Sequence, residues 1–439
     1  MRHCCSLSLL ALIAVAIPAQ DLIWPGFRGP ARNGVAAAAN PPVKWSDEKN
    51  VRWKAELPGP GSASPIIVGD RVYVACYSGY GIQIDDHGDK KDLKHHLVCI
   101  DRKTGKVVWD RAIPSPLEKD ARRVQITEHG FASPTPICDG RAIYAYFGHA
   151  GIVAVGLDGN VLWKTGVGTP SKDAPPPTNT VVRKGQTLSL RWGAGASPVL
   201  HENLVIVNAS EESNSVRAYD KKTGKLVWHK ESSNLEGSAT SPVVVGSGDT
   251  SVLVIVLAGE IWGLAPKTGK PLWSVETKSR GGMCPTPVAD GSRVYAFGGG
   301  DDSYAINFDP TSDDAEKTRI AWKSAKLDIC SPTLHADRLY LVSTQGFGSV
   351  LDTKTGDILV PRARLDGRTG SIYASPTLAN GRLYIATRKR GVYVYSARDF
   401  KLLSRNELTD DTRFDASPAV AGKELYLRSE KYLYCIASS

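Results

Sequence analysis

Apolar and polar positions alternate with a period of two through nearly the whole chain, and helix-period apolar stripes are essentially missing. Tyr373–Thr387 (YASPTLANGRLYIAT) shows the unit most cleanly. A small residue, Ser and Pro open an apolar strand. Asn380-Gly381 then makes a tight turn, and a second strand follows with Leu383 and Ile385. The same phrase recurs as SASPIIVGDRVYVAC from Ser62, SPTPICDGRAIYAYF from Ser133 and GASPVLHENLVIVNAS from Gly195. Altered copies start at Thr240, Cys284, Cys330 and Ala416. The aligned prolines are Pro65, Pro136, Pro198, Pro242, Pro287, Pro332, Pro376 and Pro418, and from Pro198 onward they stand 44, 45, 45, 44 and 42 residues apart. A fixed period of this size predicts a propeller or a solenoid.

Each unit has a second half. It reads LVCIDRKTGKVVWDRAIP from Leu97, VRAYDKKTGKLVWHKE from Val216 and IWGLAPKTGKPLWSVE from Ile261. The Asp-x-x-Thr-Gly stretch predicts a turn in which Asp bonds forward to the backbone and Gly takes a positive φ. The Trp beyond it (Trp109, Trp163, Trp228, Trp273, Trp322) is large enough to wedge between units and bury over ~150 Å². The pattern then decays: Asp352–Gly356 keeps the turn, with Leu359 near the Trp position, and the chain stops at YLYCIASS without a turn or a Trp strand. Val51–Leu57, with Trp53, is a Trp strand lacking its own preceding three. The two fragments complete one another. The expected fold is therefore all-β: an eight-bladed β-propeller of four-stranded blades over residues 51–439, closed by the N-terminal strand in the last blade.

Ahead of it, residues 1–19 carry Arg2, the apolar run Leu7–Ile17 and the A-x-A site Ala14–Ala16, the layout of a secretory signal peptide. The run is short for a membrane anchor, so the expected product is an extracytoplasmic protein, periplasmic or secreted, with no transmembrane span after processing. Residues 20–50 form an arm anchored by Trp24, Phe27 and Trp45, expected to lie across the propeller surface. The formal charge of +9 is spread in small groups without interleaved aromatics, which argues against nucleic acid. Of eight cysteines, Cys76, Cys99, Cys138, Cys284, Cys330 and Cys435 follow the signal. They lie within apolar strand patterns and read as buried thiols, with one bridge left open and no metal or redox spacing.

The SPxxxxGRxY phrase followed by xLDxxTGKxxW resembles the PQQ-like, quinoprotein-type repeat. It occurs in pyrroloquinoline-quinone (PQQ) dehydrogenases and in BamB-like propellers of the outer-membrane assembly machinery. The resemblance spans nearly all of Val51–Ser439 and implies the propeller. For the dehydrogenases it further implies PQQ between a Trp floor and an adjacent-cysteine ring, with Ca²⁺ held by Glu, Asn and Asp. Here the only adjacent cysteines, Cys4-Cys5, lie in the signal segment, and no such ligand set can be matched. No cofactor, catalytic residue or metal ligand is therefore assigned.

The segments entering the innermost strands should meet at one rim of the funnel. They bring His129, Arg191, Trp192, Glu236, Arg280, Asp328, Tyr373 and Arg413, a mixed-charge ring suited to a protein loop or to a polar or anionic small ligand. Two insertions break the period, Tyr77–His96 and Gly166–Leu190, and long loops in compact folds commonly carry function. The first holds Asp85, Asp86, His87, Asp89, His95 and His96 at loose spacing among lysines, which reads as a solvated loop. The expectation is an exported, monomeric binding or scaffold propeller of the cell envelope. A PQQ-dependent dehydrogenase oxidising an alcohol or sugar is the alternative.

Overall fold

A computed structural model describes residues 23–83, 86–117, 130–169, 180–183, 186–189, 192–278, 284–297, 303–308, 319–324, 330–365 and 370–438. The signal segment 1–19 lies outside them. Eight four-stranded antiparallel blades form an all-β propeller. Blade 1 runs outward from Ile66–Val68 through Arg71–Ser78 and Lys94–Asp101 to Val107–Pro114. Blade 8 comprises Ala419–Ala421, Glu424–Arg428 and Tyr432–Ala437, and its outermost strand is Val51–Glu56, paired Trp53↔Cys435 and Ala55↔Leu433. The strand ahead of the first blade closes the last one.

The Ser-Pro phrase has a physical cause. In every blade the residue before the marker proline is Ser or Thr, and its backbone N–H donates to the hydroxyl of the equivalent residue in the next blade. The chain of bonds runs Ser64 to Thr135, Ser197, Ser241, Thr286, Ser331, Ser375 and Ser417, then back to Ser64, at 2.8–3.3 Å. All eight side chains are buried. The ring satisfies backbone donors that no strand partner takes, as burial demands.

At the outer edge, Trp and Gly lock one blade to the next. The indole Nε1–H of Trp53 donates to Arg102 O (2.9 Å), Trp109 to Leu157 O (3.2 Å), Trp163 to Lys221 O (2.8 Å), Trp228 to Pro266 O (2.9 Å) and Trp322 to Thr353 O (2.8 Å). Each acceptor sits in the turn of the following blade. The turn glycine lies directly on the ring: a Cβ added at Gly105 would come within 2.7 Å of Trp53, and one at Gly356 within 2.7 Å of Trp322. Both glycines also have positive φ. Asp101 and Asp220 accept the forward hydrogen bonds of Thr104 and Thr223, as the turn chemistry predicts. The hydrophobic clusters lie between neighbouring blades, for instance Ala75, Cys99, Ile143 and Val155 between blades 1 and 2.

Two expectations need correction. In blade 6 the register Val350↔Val360 puts Val360, not Leu359, at the Trp position, and Leu359 points outward, 46% exposed. The arm also does more than lie on the surface, since part of it enters the axis. Trp24 pairs with Ile67 on the innermost strand of blade 1. Arg28 donates to Ser331 O, Pro332 O and Thr333 Oγ1 on blade 6, and Arg32 to Leu200 O on blade 3. Burial pushes the Arg28 guanidinium down to about 9, with the Cys330 thiol opposing. Val35–Ala36 then adds a parallel strand to blade 7. Farther out, Trp45 stacks on Tyr384 at 6.4 Å. In blades 1, 2, 5 and 8 the equivalent Tyr meets that blade's own Trp. Blade 7 has Ser404 at that register position, and the arm supplies the missing indole.

Candidate functional site

A concavity of about 850 Å³ lies over blades 1 to 3 on the rim opposite the Asp-x-x-Thr-Gly turns. Its walls come from the roots of both insertions. Leu93 and His95 belong to the first, Gly166 and Thr169 to the second, with Pro114–Leu117, Phe131 and Phe147–Ala150 between them and Glu212 from blade 3.

In the first insertion Asp85 lies outside the described residues and Asp86 and Asp89 are exposed, while the flanking residues are packed. Tyr77, Tyr80, Leu93, Phe131 and Ala132 form a buried cluster of their own. Asp86 and Asp89 cap local turns through the N–H groups of Gly88 and Lys91. His95 and His96 face opposite sides of their strand. His96 bridges Ser78 Oγ (2.8 Å) and the Asp110 carboxylate (3.0 Å), tying three strands of blade 1 together. His95 lines the groove, tilted against Phe147 at 4.5 Å, with Nε2–H donating to Phe131 O at 3.0 Å. The carbonyl can only accept, which fixes that tautomer.

Glu212 stands on the short turn Ser210–Ser213, at the tip of the central hairpin of blade 3. Asn208 Oδ1 accepts from Ser210 N, and Ser213 Oγ meets Ser215 Oγ, so the turn is held from both sides. The hydroxyl of Tyr146 donates to Glu212 Oε2 at 2.5 Å. Burial, reinforced by the Glu212 charge, holds the Tyr146 phenol well above its ordinary range. Gly148, at φ +58°, lies against the carboxylate: a Cβ there would stand 2.9 Å from Glu212 Oε1.

Of the eight predicted rim residues, His129, Arg191, Arg280 and Asp328 lie outside the described residues. Trp192 is 40% exposed, and Glu236 is half-buried beyond a turn in blade 3. Tyr373 and Arg413 come together in a polar cluster on blades 7 and 8. There Arg388 stacks over the Tyr373 ring at 4.1 Å and grips Asp415 at 2.8 and 3.2 Å, while Arg413 Nε donates to Glu430 at 2.8 Å. Burial raises the Asp415 carboxyl against the pull of Arg388. Both predicted residues thus flank the Arg388–Asp415 pair, which ties blade 7 to the segment entering blade 8.

A family profile described as outer membrane protein assembly factor BamB matches residues 35–175 and 93–360, well over half of the chain. The chain belongs to this PQQ-like repeat family. Among solved structures it is similar to BamB from Moraxella catarrhalis, with 13% identity and a TM-score of 0.60 over 88% of this chain and 99% of that one. It is also similar to the quinohemoprotein alcohol dehydrogenase ADHIIG from Pseudomonas putida, with 11% identity and a TM-score of 0.60 over 94% of this chain and 80% of that one. The quinohemoprotein alcohol dehydrogenase of Comamonas testosteroni gives 10% identity and a TM-score of 0.58 over 96% and 81%. Likeness at this identity concerns the fold. No curated protein matches.

PQQ-like repeats raise the question of a quinone. Among the described residues no three His, Cys, Asp or Glu side chains converge to hold a metal ion. The six described cysteines are separate free thiols, five of them buried. The axis is entered from one side by Trp24 and Arg28. No chemistry is routed through a PQQ–Ca²⁺ pair. Among the described residues no helix is long and apolar enough to cross a membrane.

The groove carboxylate was overlooked in the sequence although a signal was present. Glu211-Glu212 interrupts VNASEESNSV at a hairpin tip, between two strands of apolar residues. Two adjacent carboxylates there stand out from the other copies of the repeat.

Proposed function

We propose that this protein is an exported binding module of the cell envelope, which seats a partner or a polar ligand in the groove over blades 1 to 3. The observation that carries this reading is the groove itself. It is concave, lined by Phe131, Phe147 and a buried carboxylate, and built from the roots of the two segments that break the repeat. The family description, an outer-membrane assembly factor, supports an envelope location and a protein partner. The signal-like N-terminus supports export.

The test is capture from envelope extracts with tagged full-length chain and two variants. Ala150→Trp fills the groove, and Val227→Trp alters the exposed outer strand of blade 3 as a control. A partner retained by the wild type and Val227→Trp, and lost from Ala150→Trp, supports the groove. Equal retention by all three removes it. Fractionation of the expressing cells, with the chain found only in the cytoplasm, would remove the envelope assignment.

A further inference from the structure

The groove holds one group whose chemistry is incomplete. Glu212 is 1% exposed, Tyr146 satisfies its Oε2, and its Oε1 has no hydrogen-bond partner among the described residues. A buried carboxylate is normally paired or fully hydrogen-bonded, because taking the charge out of water is otherwise unfavourable. Nearby cations are committed elsewhere. Arg217 Nε is bound by Ser213 and Ser215, and Lys164 lies at the exposed mouth beside Pro114 O. The residues over Oε1 are small. Gly148 lies against it, the Ala194 methyl is close by, and neither offers it a side-chain donor. Oε1 is therefore a buried, unpaired acceptor in the lining of a cavity with aromatic walls.

We propose that this cavity binds a protonated amine carried on an apolar body. Glu212 Oε1 takes the ammonium, and Phe131, Phe147 and Leu93 pack the apolar part. The inference rests on the groove being the binding face. Charge excludes an anion from the carboxylate. A guanidinium prefers both oxygens of a carboxylate, and Tyr146 already holds one of them, so a single N–H···O contact from an ammonium suits the site better. Aromatic faces beside an ammonium add attraction. The amine could come from a small molecule or from a lysine side chain, and the chemistry is the same.

The experiment is calorimetric titration of the full chain at neutral pH with 2-phenylethylamine, the neutral 2-phenylethanol and the anionic phenylacetate. The amine should bind at least about tenfold more tightly than the alcohol, as a charge-assisted hydrogen bond implies, and phenylacetate should not bind. Glu212→Gln, with its melting point checked, should bring the amine to the level of the alcohol. Equal binding of amine and alcohol, or a folded Glu212→Gln that binds the amine unchanged, overturns the proposal. If Glu212→Gln does not fold, Ala150→Trp replaces it, and undiminished amine binding by that variant has the same force. An acetyl-Gly-Lys-Gly-amide peptide binding more tightly than 2-phenylethylamine assigns the site to a lysine side chain, and the reverse order assigns it to a small amine. Partner capture that depends on Ala150 without any amine preference leaves the groove as the binding face and removes only the ammonium assignment.

Discussion

Gly105→Ala tests the seam where the propeller closes. Gly105 belongs to the turn of blade 1, and it rests on Trp53, the closing strand's own indole. Alanine there meets two costs. The left-handed backbone (φ +73°) disfavours a Cβ by about 1–2 kcal/mol. The new Cβ would also stand 2.7 Å from ring carbons of Trp53, and that ring is held by Arg102 O and by Tyr426 at 5.9 Å. Overpacking of this kind adds about 1–3 kcal/mol. Gly381→Ala is the matched control, with nearly the same φ (+66°) and nothing within 4 Å of the added Cβ. It should carry only the backbone cost. Urea titrations followed by far-UV circular dichroism give both midpoints. With unchanged slopes, Gly105→Ala should fall below Gly381→Ala by about 1–3 kcal/mol. Equal losses would refute the claim that glycine is required there for contact as well as for conformation.

Other consequences can be measured directly. Ser375→Ala leaves the buried N–H of Ser331 without its acceptor and should cost about 1–3 kcal/mol in urea unfolding. Ser375→Thr should restore most of that, because Thr135 and Thr286 fill the same place in their blades. Trp45→Ala removes a side chain that is 5% exposed and should cost about 3–5 kcal/mol, with faster proteolysis between residues 37 and 50. Burial raises the Glu424 carboxyl, but Tyr426 and Arg102 outweigh it, and its pKa in the folded state lies below the ordinary value. Its contribution is therefore complete above the unfolded carboxyl range of ~4.3 and is lost as pH falls through the folded value. The stability gap between wild type and Glu424→Gln should be full at neutral pH and close in acid. PQQ with Ca²⁺ should leave tryptophan fluorescence unchanged and support no dye-linked alcohol oxidation; saturable quenching with turnover would make the chain an enzyme.

The repeat was legible because each of its features answers a local need. Proline, turn glycine and Trp are fixed by backbone and contact geometry, and they recur wherever that geometry recurs. Blade count and the closing strand followed from counting them. The hydroxyl ring was not legible: a Ser before Pro reads as local turn chemistry, and its partner lies a whole repeat away. Trp45 was hidden for a related reason. It does in blade 7 what Trp53 does in blade 8, but it arrives from an arm with no repeat register. Val360 was missed by one residue because the decayed copy has no aromatic to mark its alignment. The groove was the hardest part, since Glu212, Tyr146 and His95 come from three different blades and only the circular packing brings them together.

The hydroxyl ring and the seam at Trp53 give the molecule a cyclic order in which no blade is first. Ser417 hands its hydrogen bond to Ser64 just as Ser64 hands its own to Thr135. The order of blades along the chain is then one of several equivalent linear readings of the same circle. A permuted chain, with residues 438 and 23 joined by a linker and new ends at Gly248–Thr250, a solvent-facing turn of blade 4, would keep every strand neighbour and every link of the ring. Its groove would keep the same walls, although the segments that build it would then occupy the C-terminal half of the sequence.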